Sequence, residues 1–223
     1  MRTFKIWRRD PGLRGALRTL FSREHTIVRA VDGIRFDVAE GELVGFIGAN
    51  GAGKSTTIKI LTGILHPTSG RAVVDGLVPY LDRRANAAKI GVVFGQKSQL
   101  WWDLPLVESF RVLRWVYGVP RADHEARLTL LIEVLELQPF LMTPVRKLSL
   151  GQRVRGDLAA SLLHEPRLLF LDEPTIGLDV DVRDRILDFI RETNRVRGTT
   201  VLFTTHDLLH LERICRRIIV IDR

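Results

Sequence analysis

The residues best suited to chemistry lie in a glycine-rich stretch at 48–55, which reads GANGAGKS and follows the apolar run 43–47. Glycines let the backbone curl so that consecutive N–H groups point at phosphate oxygens, and a helix beginning near Lys54 adds the positive end of its dipole. Lys54 is placed to reach the terminal phosphates of a nucleotide, and the Ser55 hydroxyl to hold Mg²⁺. The full pattern favours a nucleoside triphosphate site over an ordinary glycine-rich turn. The predicted nucleotide-binding residues of this stretch are Gly48, Asn50, Gly51, Ala52, Gly53, Lys54, Ser55 and Thr56.

An apolar strand that ends in two acidic residues provides the second candidate site. Residues 168–173 read LLFLDE, so Asp172 and Glu173 stand where the predicted strand ends. Beside a phosphate-binding loop, the first acid is placed to bind the Mg²⁺ shell and the second to polarise an attacking water as a general base. Two adjacent acids at a strand end are also compatible with a solvated turn, and it is the glycine-rich loop that favours catalysis.

Five further short motifs follow in order along the chain. They are Gln96 after GVVFG at 91–95, LSLGQ at 148–152, EPT at 173–175, GLD at 177–179 and TTHD at 204–207. Each is weak alone, but together they resemble the ATP-binding-cassette (ABC) ATPases over nearly the whole chain. The stretches 90–110 and 144–182 resemble the exporter-type branch of that family. The resemblance implies ATP and Mg²⁺ as cofactors.

The resemblance also implies roles for individual residues. Gln96 would sense the γ-phosphate and help to position Mg²⁺ or water, and His206 would contact the γ-phosphate. An ordinary loop histidine is the alternative for His206. The implied catalytic residues are Lys54, Gln96, Glu173 and His206, and the implied metal ligands are Ser55, Gln96 and Asp172.

The LSLGQ motif would act on a second copy of the chain. In the family, the residues matching Ser149, Gly151 and Gln152 meet the γ-phosphate held by the partner domain, so that two domains enclose two ATP molecules. Asp179, in the GLD motif, belongs to the same implied nucleotide site. Taken alone, the motif predicts only an N-capped helix start. Leu150 departs from the usual glycine, so we expect a working motif with altered local geometry.

An aromatic residue on an early strand is expected to stack on adenine. Phe4 and Trp7 are the candidates, and Phe4 fits the family spacing slightly better. Plain packing of either ring is the alternative. Most relatives carry a few more residues at both ends, so we expect a longer native chain.

The elements that position these residues follow a strand-loop-helix pattern. Buried strands are predicted at 43–47, 90–94, 167–171, 200–204 and 217–221, and a half-buried strand at 34–38. Strands rich in Val, Ile, Leu and Phe are typical of sheets covered on both faces. The pattern predicts an α/β fold class with a mostly parallel sheet and an inserted α-helical subdomain. The resemblance further implies a P-loop NTPase core and an antiparallel β edge near the N-terminus.

The stretch from 98 to 163 has helical patterns and no convincing strand. Helices are predicted at 106–117, 122–138 and 151–163, and a further helix after the glycine-rich loop at 56–65. We therefore expect one nucleotide-binding domain spanning 1–223. Its RecA-like core would comprise about 1–97 and 164–223, and its helical subdomain about 98–163.

The positive charge of the chain is concentrated at the N-terminus. Residues 1–30 hold eight basic and two acidic side chains, which accounts for six of the eight net charges. Apolar residues at helical spacing over 13–21 predict a basic amphipathic helix, which either packs on the domain or touches a membrane or membrane partner. The rest of the chain lacks a charge suited to a duplex, so no nucleic-acid partner is expected. The single cysteine, Cys215, suits a reducing compartment and is expected to be a small core residue.

The resemblance implies a separate membrane partner. No apolar run approaches the roughly 20 residues that cross a bilayer, so we expect a transmembrane permease subunit to receive the motion, with this chain held at the cytoplasmic face of the membrane. Trp101 and Trp102 are candidates for the interface, and packing inside the helical lobe is the alternative.

The predicted function is an ATP-binding and ATP-hydrolysing subunit of an ABC transporter, an exporter, that couples ATP-driven dimerisation to substrate movement. One alternative is a non-transport ABC ATPase that acts on DNA or ribosomes. The stretch between Lys54 and Ser149 is too short for the long coiled coil of DNA-repair members. Another alternative is a binding module without turnover, against which the four catalytic residues argue.

Overall fold

Two sheets form the framework of the computed structural model, which describes residues 1–7, 25–95 and 97–222. The strands are β1 (Arg2–Trp7), β2 (His25–Val31), β3 (Leu43–Gly48), β4 (Ile90–Phe94), β5 (Leu168–Asp172), β6 (Thr200–Thr204) and β7 (Arg217–Ile221). The larger sheet is parallel, in the order β4-β5-β6-β3-β7, and β1 pairs with β2 in an antiparallel ribbon. The α/β prediction, with its parallel sheet and antiparallel edge, is confirmed.

The helices lie between these strands. They are α1 (Lys54–Leu61), α2 (Arg83–Lys89), α3 (Leu106–Tyr117), α4 (Arg121–Val134), α5 (Leu150–Leu162), α6 (Val180–Arg197) and α7 (Leu208–Ile214), with short 3₁₀ helices at Gln138–Phe140 and Val145–Lys147. Helices α3 to α5 fall within the stretch for which the sequence predicts a helical subdomain. The division of the chain into that subdomain and a core remains a prediction.

The parallel sheet is buried on both faces. Along β5, Leu169 and Leu171 enter one apolar cluster and Phe170 enters another on the opposite face. Side chains alternate between the faces of a strand, so a strand between two cores becomes a continuous apolar run. This is why the predicted strand positions agree with the observed ones to within one residue.

The predicted strand at 34–38 is wrong. Ile34, Phe36 and Val38 do face the second cluster and the residues between them are exposed, as the alternation indicated. The segment nevertheless forms no ladder with another described strand. It lines a cavity of about 330 Å³ together with residues of β5 and β6.

Two helices differ from their predicted bounds. Helix α1 spans Lys54–Leu61 rather than 56–65: it begins earlier because the glycine-rich loop runs directly into it, and it ends earlier, before Gly63 adopts a positive φ of 79°. Helix α4 ends at Val134 rather than 138, and Glu136 then adopts a positive φ of 49°. The apolar pattern continues past the helix because Leu135 and Leu137 are buried by the turn itself.

Three smaller predictions concern single segments. The amphipathic helix at 13–21 lies outside the described residues. Cys215 packs against the main core, and burial raises the pKa of its thiol to about 12. None of the helices in the described residues is long and apolar enough to span a bilayer.

Candidate nucleotide site

The glycine-rich loop connects the end of β3 to α1 and is tightly packed. Gly53 has a φ of 103°, and a Cβ atom built on it would lie 2.4 Å from the carbonyl oxygen of Ala30 at the end of β2. Only glycine fits such a position. Gly53 is also the N-cap of α1 and supplies no capping side chain, so backbone N–H groups of the first turn remain available to an anion.

Lys54 is buried at the start of α1, with 6% of its surface exposed. Its Nζ atom donates hydrogen bonds to the carbonyl oxygens of Gly48 at 2.7 Å and Ala49 at 3.2 Å. The ammonium group is thus held over the loop. A buried charge is unfavourable unless it is paired, so phosphate oxygens bound in the loop would stabilise it through charge-assisted hydrogen bonds.

Ser55 and Asp172 come together although they lie 117 residues apart in the sequence. The Ser55 Oγ atom donates to Asp172 Oδ1 at 3.1 Å. The two residues meet because β3 and β5 both flank β6, and the carboxyl ends of parallel strands lie at one edge of a sheet. A hydroxyl and a carboxylate are the oxygen donors that Mg²⁺ prefers, so the pair fits this ion.

Thr204 fixes both acids at the end of β5. It is fully buried and lies beside Asp172 in the register of β5 and β6. Its Oγ1 atom donates to Asp172 Oδ1 at 2.9 Å and accepts the Glu173 N–H at 3.0 Å. Sequence reasoning missed this role, because it depends on the register of two strands 31 residues apart in the chain.

Glu173 and His206 face each other above this edge. Glu173 has a positive φ of 52°, a strained conformation for a residue with a side chain. The Nδ1 atom of His206 lies 3.7 Å from Glu173 Oε2, and the histidine is 60% exposed. The predicted catalytic residues Lys54, Glu173 and His206 therefore lie at the carboxyl ends of neighbouring strands, whereas Gln96 lies outside the described residues.

The remaining residues of the glycine-rich stretch have distinct surroundings. Asn50 and Gly51 are exposed in the loop, whereas Ala52 is buried against the second core cluster. Thr56 lies on the first turn of α1 and is half-buried.

The LSLGQ motif forms the N-terminus of α5. Ser149 Oγ accepts the backbone N–H of Gln152 at 3.2 Å, and Gln152 Oε1 accepts the N–H of Ser149 at 2.9 Å. This reciprocal pair is a capping box, which stabilises the start of the helix. The N-capped helix that the motif predicts by itself is therefore observed.

Leu150 packs against the GLD motif. A Cβ atom built on Gly177 would lie 3.1 Å from Leu150 Cδ2, and one built on Gly151 would lie 3.3 Å from Val182 Cγ1. Asp179 is the N-cap residue of α6, without a capping bond from its side chain. The departure from glycine at position 150 thus fills a contact between α5 and the GLD motif.

The adenine-stacking candidates lie on β1. Phe4 is half-buried, and the Arg2 guanidinium lies 4.8 Å from the centre of its ring. Trp7 lies on the same strand, paired with His25, but its side chain is outside what the structure describes. Stacking of either ring on a base remains a prediction.

Comparisons with known proteins agree with this geometry. The family model described as "ABC transporter" matches residues 31–176, and one described as "AAA domain, putative AbiEii toxin, Type IV TA system" matches 142–212. "Methionine import ATP-binding protein MetN" of Geobacillus kaustophilus is 36% identical over 199 residues, which cover 87% of this chain and 58% of the relative. "Nod factor export ATP-binding protein I" of Burkholderia thailandensis is 40% identical over 195 residues, 86% and 62%.

A solved structure extends the likeness to the whole fold. The ATP-binding cassette MJ0796, a dimer in a post-hydrolysis state bound to ADP and Pi, superposes with a TM-score of 0.80 at 27% identity over 90% of each chain. A P-loop fold with this loop and these acids defines a nucleotide-binding cassette. The chain belongs to the ABC transporter family of ATP-binding proteins. It spans about three fifths of the length of the two curated relatives.

Proposed function

We propose that the chain is the ATP-binding and ATP-hydrolysing subunit of an ABC transporter. The observation that carries this proposal is the convergence of Lys54, Ser55, Asp172 and Glu173 at one edge of the sheet, with Ser55 hydrogen-bonded to Asp172. At this edge Lys54 provides a cation that can bind phosphates, Ser55 and Asp172 provide oxygen ligands for a metal, and Glu173 provides a carboxylate that can accept a proton from water. No other part of the described chain combines these three functions.

Each residue at the edge then has a task in hydrolysis. The backbone N–H groups of the glycine-rich loop and Lys54 hold the phosphates, and Glu173 accepts a proton from the attacking water. His206 lies near Glu173 and is placed to contact the terminal phosphate. Mg²⁺, held by Ser55 and Asp172, would neutralise charge on the phosphate oxygens.

Two chains would act together. Ser149 and Gln152 lie at the N-terminus of α5, a location suited to an anion, and their side chains hydrogen-bond within the LSLGQ motif itself. We therefore infer that this corner completes the nucleotide site of a second cassette, as in an ATP-closed pair. Dimeric MJ0796 supports the pairing.

The partner of the pair is proposed to be a membrane permease. Residues 98–104, which we name the docking loop, carry Trp101 and Trp102, and these side chains are 39% and 53% exposed. The loop backbone is hydrogen-bonded to the segment before α5, since the backbone N–H of Arg146 donates to the Trp102 carbonyl at 3.0 Å. Large, exposed aromatic side chains are typical anchors of protein interfaces. Docking would hold the chain at the cytoplasmic face of the membrane.

Export is the proposed direction. The relatives include proteins named for import and for export, and the identity is 40% to the Nod factor export protein against 36% to MetN. The amino-acid sequences of 90–110 and 144–182, which resemble those of exporter-type members, support the same direction. Neither relative is named for work on DNA or ribosomes.

A substitution of Glu173 tests the proposal. Glu173→Gln should lower ATP hydrolysis by about 10²–10⁴-fold, keep nucleotide binding and let an ATP-dependent dimer accumulate, measured by phosphate release and by light scattering after chromatography. Glu192→Gln, at an exposed glutamate paired with Arg195, is the matched control and should hydrolyse ATP normally. Unchanged turnover in Glu173→Gln would remove Glu173 from catalysis.

A further inference from the structure

Asp157 is a buried acid that the proposed chemistry does not use. It lies on α5, about two turns after Ser149, and is 5% exposed. Burial raises the pKa of its carboxyl to about 6, although hydrogen bonds from Gln99 and Ser98 and the charge of Arg153 act to lower it. A buried carboxyl is unfavourable unless it is bonded, so its partners indicate its role.

The partners of Asp157 belong to the docking loop. Ser98 Oγ and the Gln99 backbone N–H each donate to Asp157 Oδ1 at 3.0 Å. Gln99 Nε2 donates to the Asp157 carbonyl oxygen at 3.2 Å, and Ser98 Oγ accepts the N–H of Leu100 at 3.1 Å. The start of the docking loop is thus fastened to α5 by three hydrogen bonds.

Gly156, the preceding residue, lets the same segment approach the helix closely. A Cβ atom built on Gly156 would lie 3.1 Å from Leu100 Cδ1 in the docking loop and 2.9 Å from Leu106 Cδ1 at the start of α3. Both leucines are buried. Polar and apolar contacts to the docking loop therefore lie side by side on one turn of α5.

The fastened segment leads directly to the exposed tryptophans. Trp101 donates its N–H to Ser109 Oγ on α3 at 3.1 Å, so the loop is held between two helices. Helix α5 carries Ser149 and Gln152 at its N-terminus. Asp157 thus lies on the covalent and hydrogen-bonded route between that corner and the tryptophans.

We propose that Asp157 is a positioning residue that fixes the docking loop on α5, so that the Ser149 corner and Trp102 keep one relative position. The proposal rests on the proposed function, in which the Ser149 corner contacts the nucleotide of a second chain and the docking loop contacts the permease. In that function, Asp157 itself touches neither substrate nor cofactor. The acceptor oxygen is the operative group, and its charge is not required.

Hydrogen–deuterium exchange of the full chain tests this role. Asp157→Ala should raise exchange in peptides covering 98–104 by about fivefold, with β3 and β5 unchanged, because local bonds are lost while the sheet persists. Asp157→Asn keeps the acceptor oxygen and should restore protection. Ser161→Ala is the matched control, since this buried hydroxyl on the same helix donates to the Leu158 carbonyl within α5 and not to the docking loop in the described structure.

Nucleotide-driven pairing provides a second readout. In the Glu173→Gln background, Asp157→Ala should weaken ATP-dependent dimerisation while the affinity of the single chain for a fluorescent ATP analogue stays the same. A general loss of structure would lower both.

If Asp157→Ala does not fold, Ser98→Ala replaces it in the exchange experiment. This variant removes one donor to Asp157 and keeps the Gln99 N–H, so it should give a smaller local rise in exchange.

Two results would overturn the proposal. One is docking-loop exchange in Asp157→Ala or Ser98→Ala that equals the wild type or rises throughout the chain. The other is an Asp157→Asn variant as unprotected as Asp157→Ala. Because exchange is measured without nucleotide, a wild-type chain that fails to hydrolyse ATP would overturn the proposed function and leave the exchange result to judge Asp157.

Discussion

Gly95 lies in direct contact with the backbone of Glu173. A Cβ atom built on Gly95 would lie 2.3 Å from the Glu173 carbonyl oxygen and 3.1 Å from that of Asp172. The N–H of Gly95 donates to the Asp172 carbonyl at 2.8 Å. The backbone after β4 and the acidic end of β5 are therefore in close contact. A side chain at position 95 would displace one or the other.

Gly95→Ala is expected to lower ATP turnover by roughly tenfold or more and to leave nucleotide affinity within about twofold, because it moves Glu173 and not the phosphate loop. Phosphate release and equilibrium binding measure the two quantities. Gly118→Ala is the control. Gly118 has a φ of 65° and open space around it, so alanine there costs stability through strain alone. Equal turnover losses in both variants would contradict the prediction.

Thr204→Val is expected to impair the metal site. Valine keeps the shape but removes the hydroxyl that donates to Asp172 Oδ1 and accepts the Glu173 N–H. The loss should reduce the free energy of unfolding by about 1–3 kcal/mol and raise the Mg²⁺ concentration that half-saturates ATP turnover. Urea unfolding and Mg²⁺ titrations measure these effects.

Thr204→Ser is the matched control for this change, because it retains the hydroxyl and removes one methyl group. It should keep the wild-type requirement for Mg²⁺. If the serine and valine variants share one Mg²⁺ requirement, the hydroxyl does not organise Asp172.

Leu150→Gly introduces the residue usual in the family, yet we expect it to harm this chain. Leu150 fills the contact with Gly177 and, like Leu178 and Val182, packs half-buried against the main core. Its removal should cost about 1–3 kcal/mol of unfolding free energy and weaken ATP-dependent dimerisation in the Glu173→Gln background. Leu130→Ala, at an exposed leucine of α4, should change neither. Dimerisation as strong as with Leu150 would show that the corner needs no leucine.

Features encoded by neighbouring residues were predictable from the sequence. The glycine-rich loop, the acidic end of β5 and the N-capped helix start at Ser149 each lie within a few residues, so their spacing alone predicts them. The buried strands were also predictable, because a strand between two cores is apolar at every position.

Features that depend on strand order or packing were not predictable in this way. The alternation at 34–38 correctly gave the inward faces, but alternation alone could not show that the segment has no strand partner in the described residues. Thr204 acts only because β5 and β6 are neighbours in register, and Leu150 only because the GLD motif folds against α5. Asp157 looks like a solvent-facing helical acid until the docking loop is placed over it.

The stability of the chain should depend on pH through Asp157. Its pKa is raised to about 6 from an ordinary 3.8, so between these values the native state binds more protons than the unfolded state, and the unfolding free energy falls as pH rises. Arg153 is the charged neighbour that opposes this shift. Asp157→Asn lacks the titration, so its unfolding free energy relative to the wild type should increase by roughly 1.5 kcal/mol from pH 5 to pH 7.5. Other groups titrate equally in both proteins and cancel. Urea unfolding at several pH values measures the difference, and a constant difference would mean that the Asp157 carboxyl is already ionised at pH 5 in the native state.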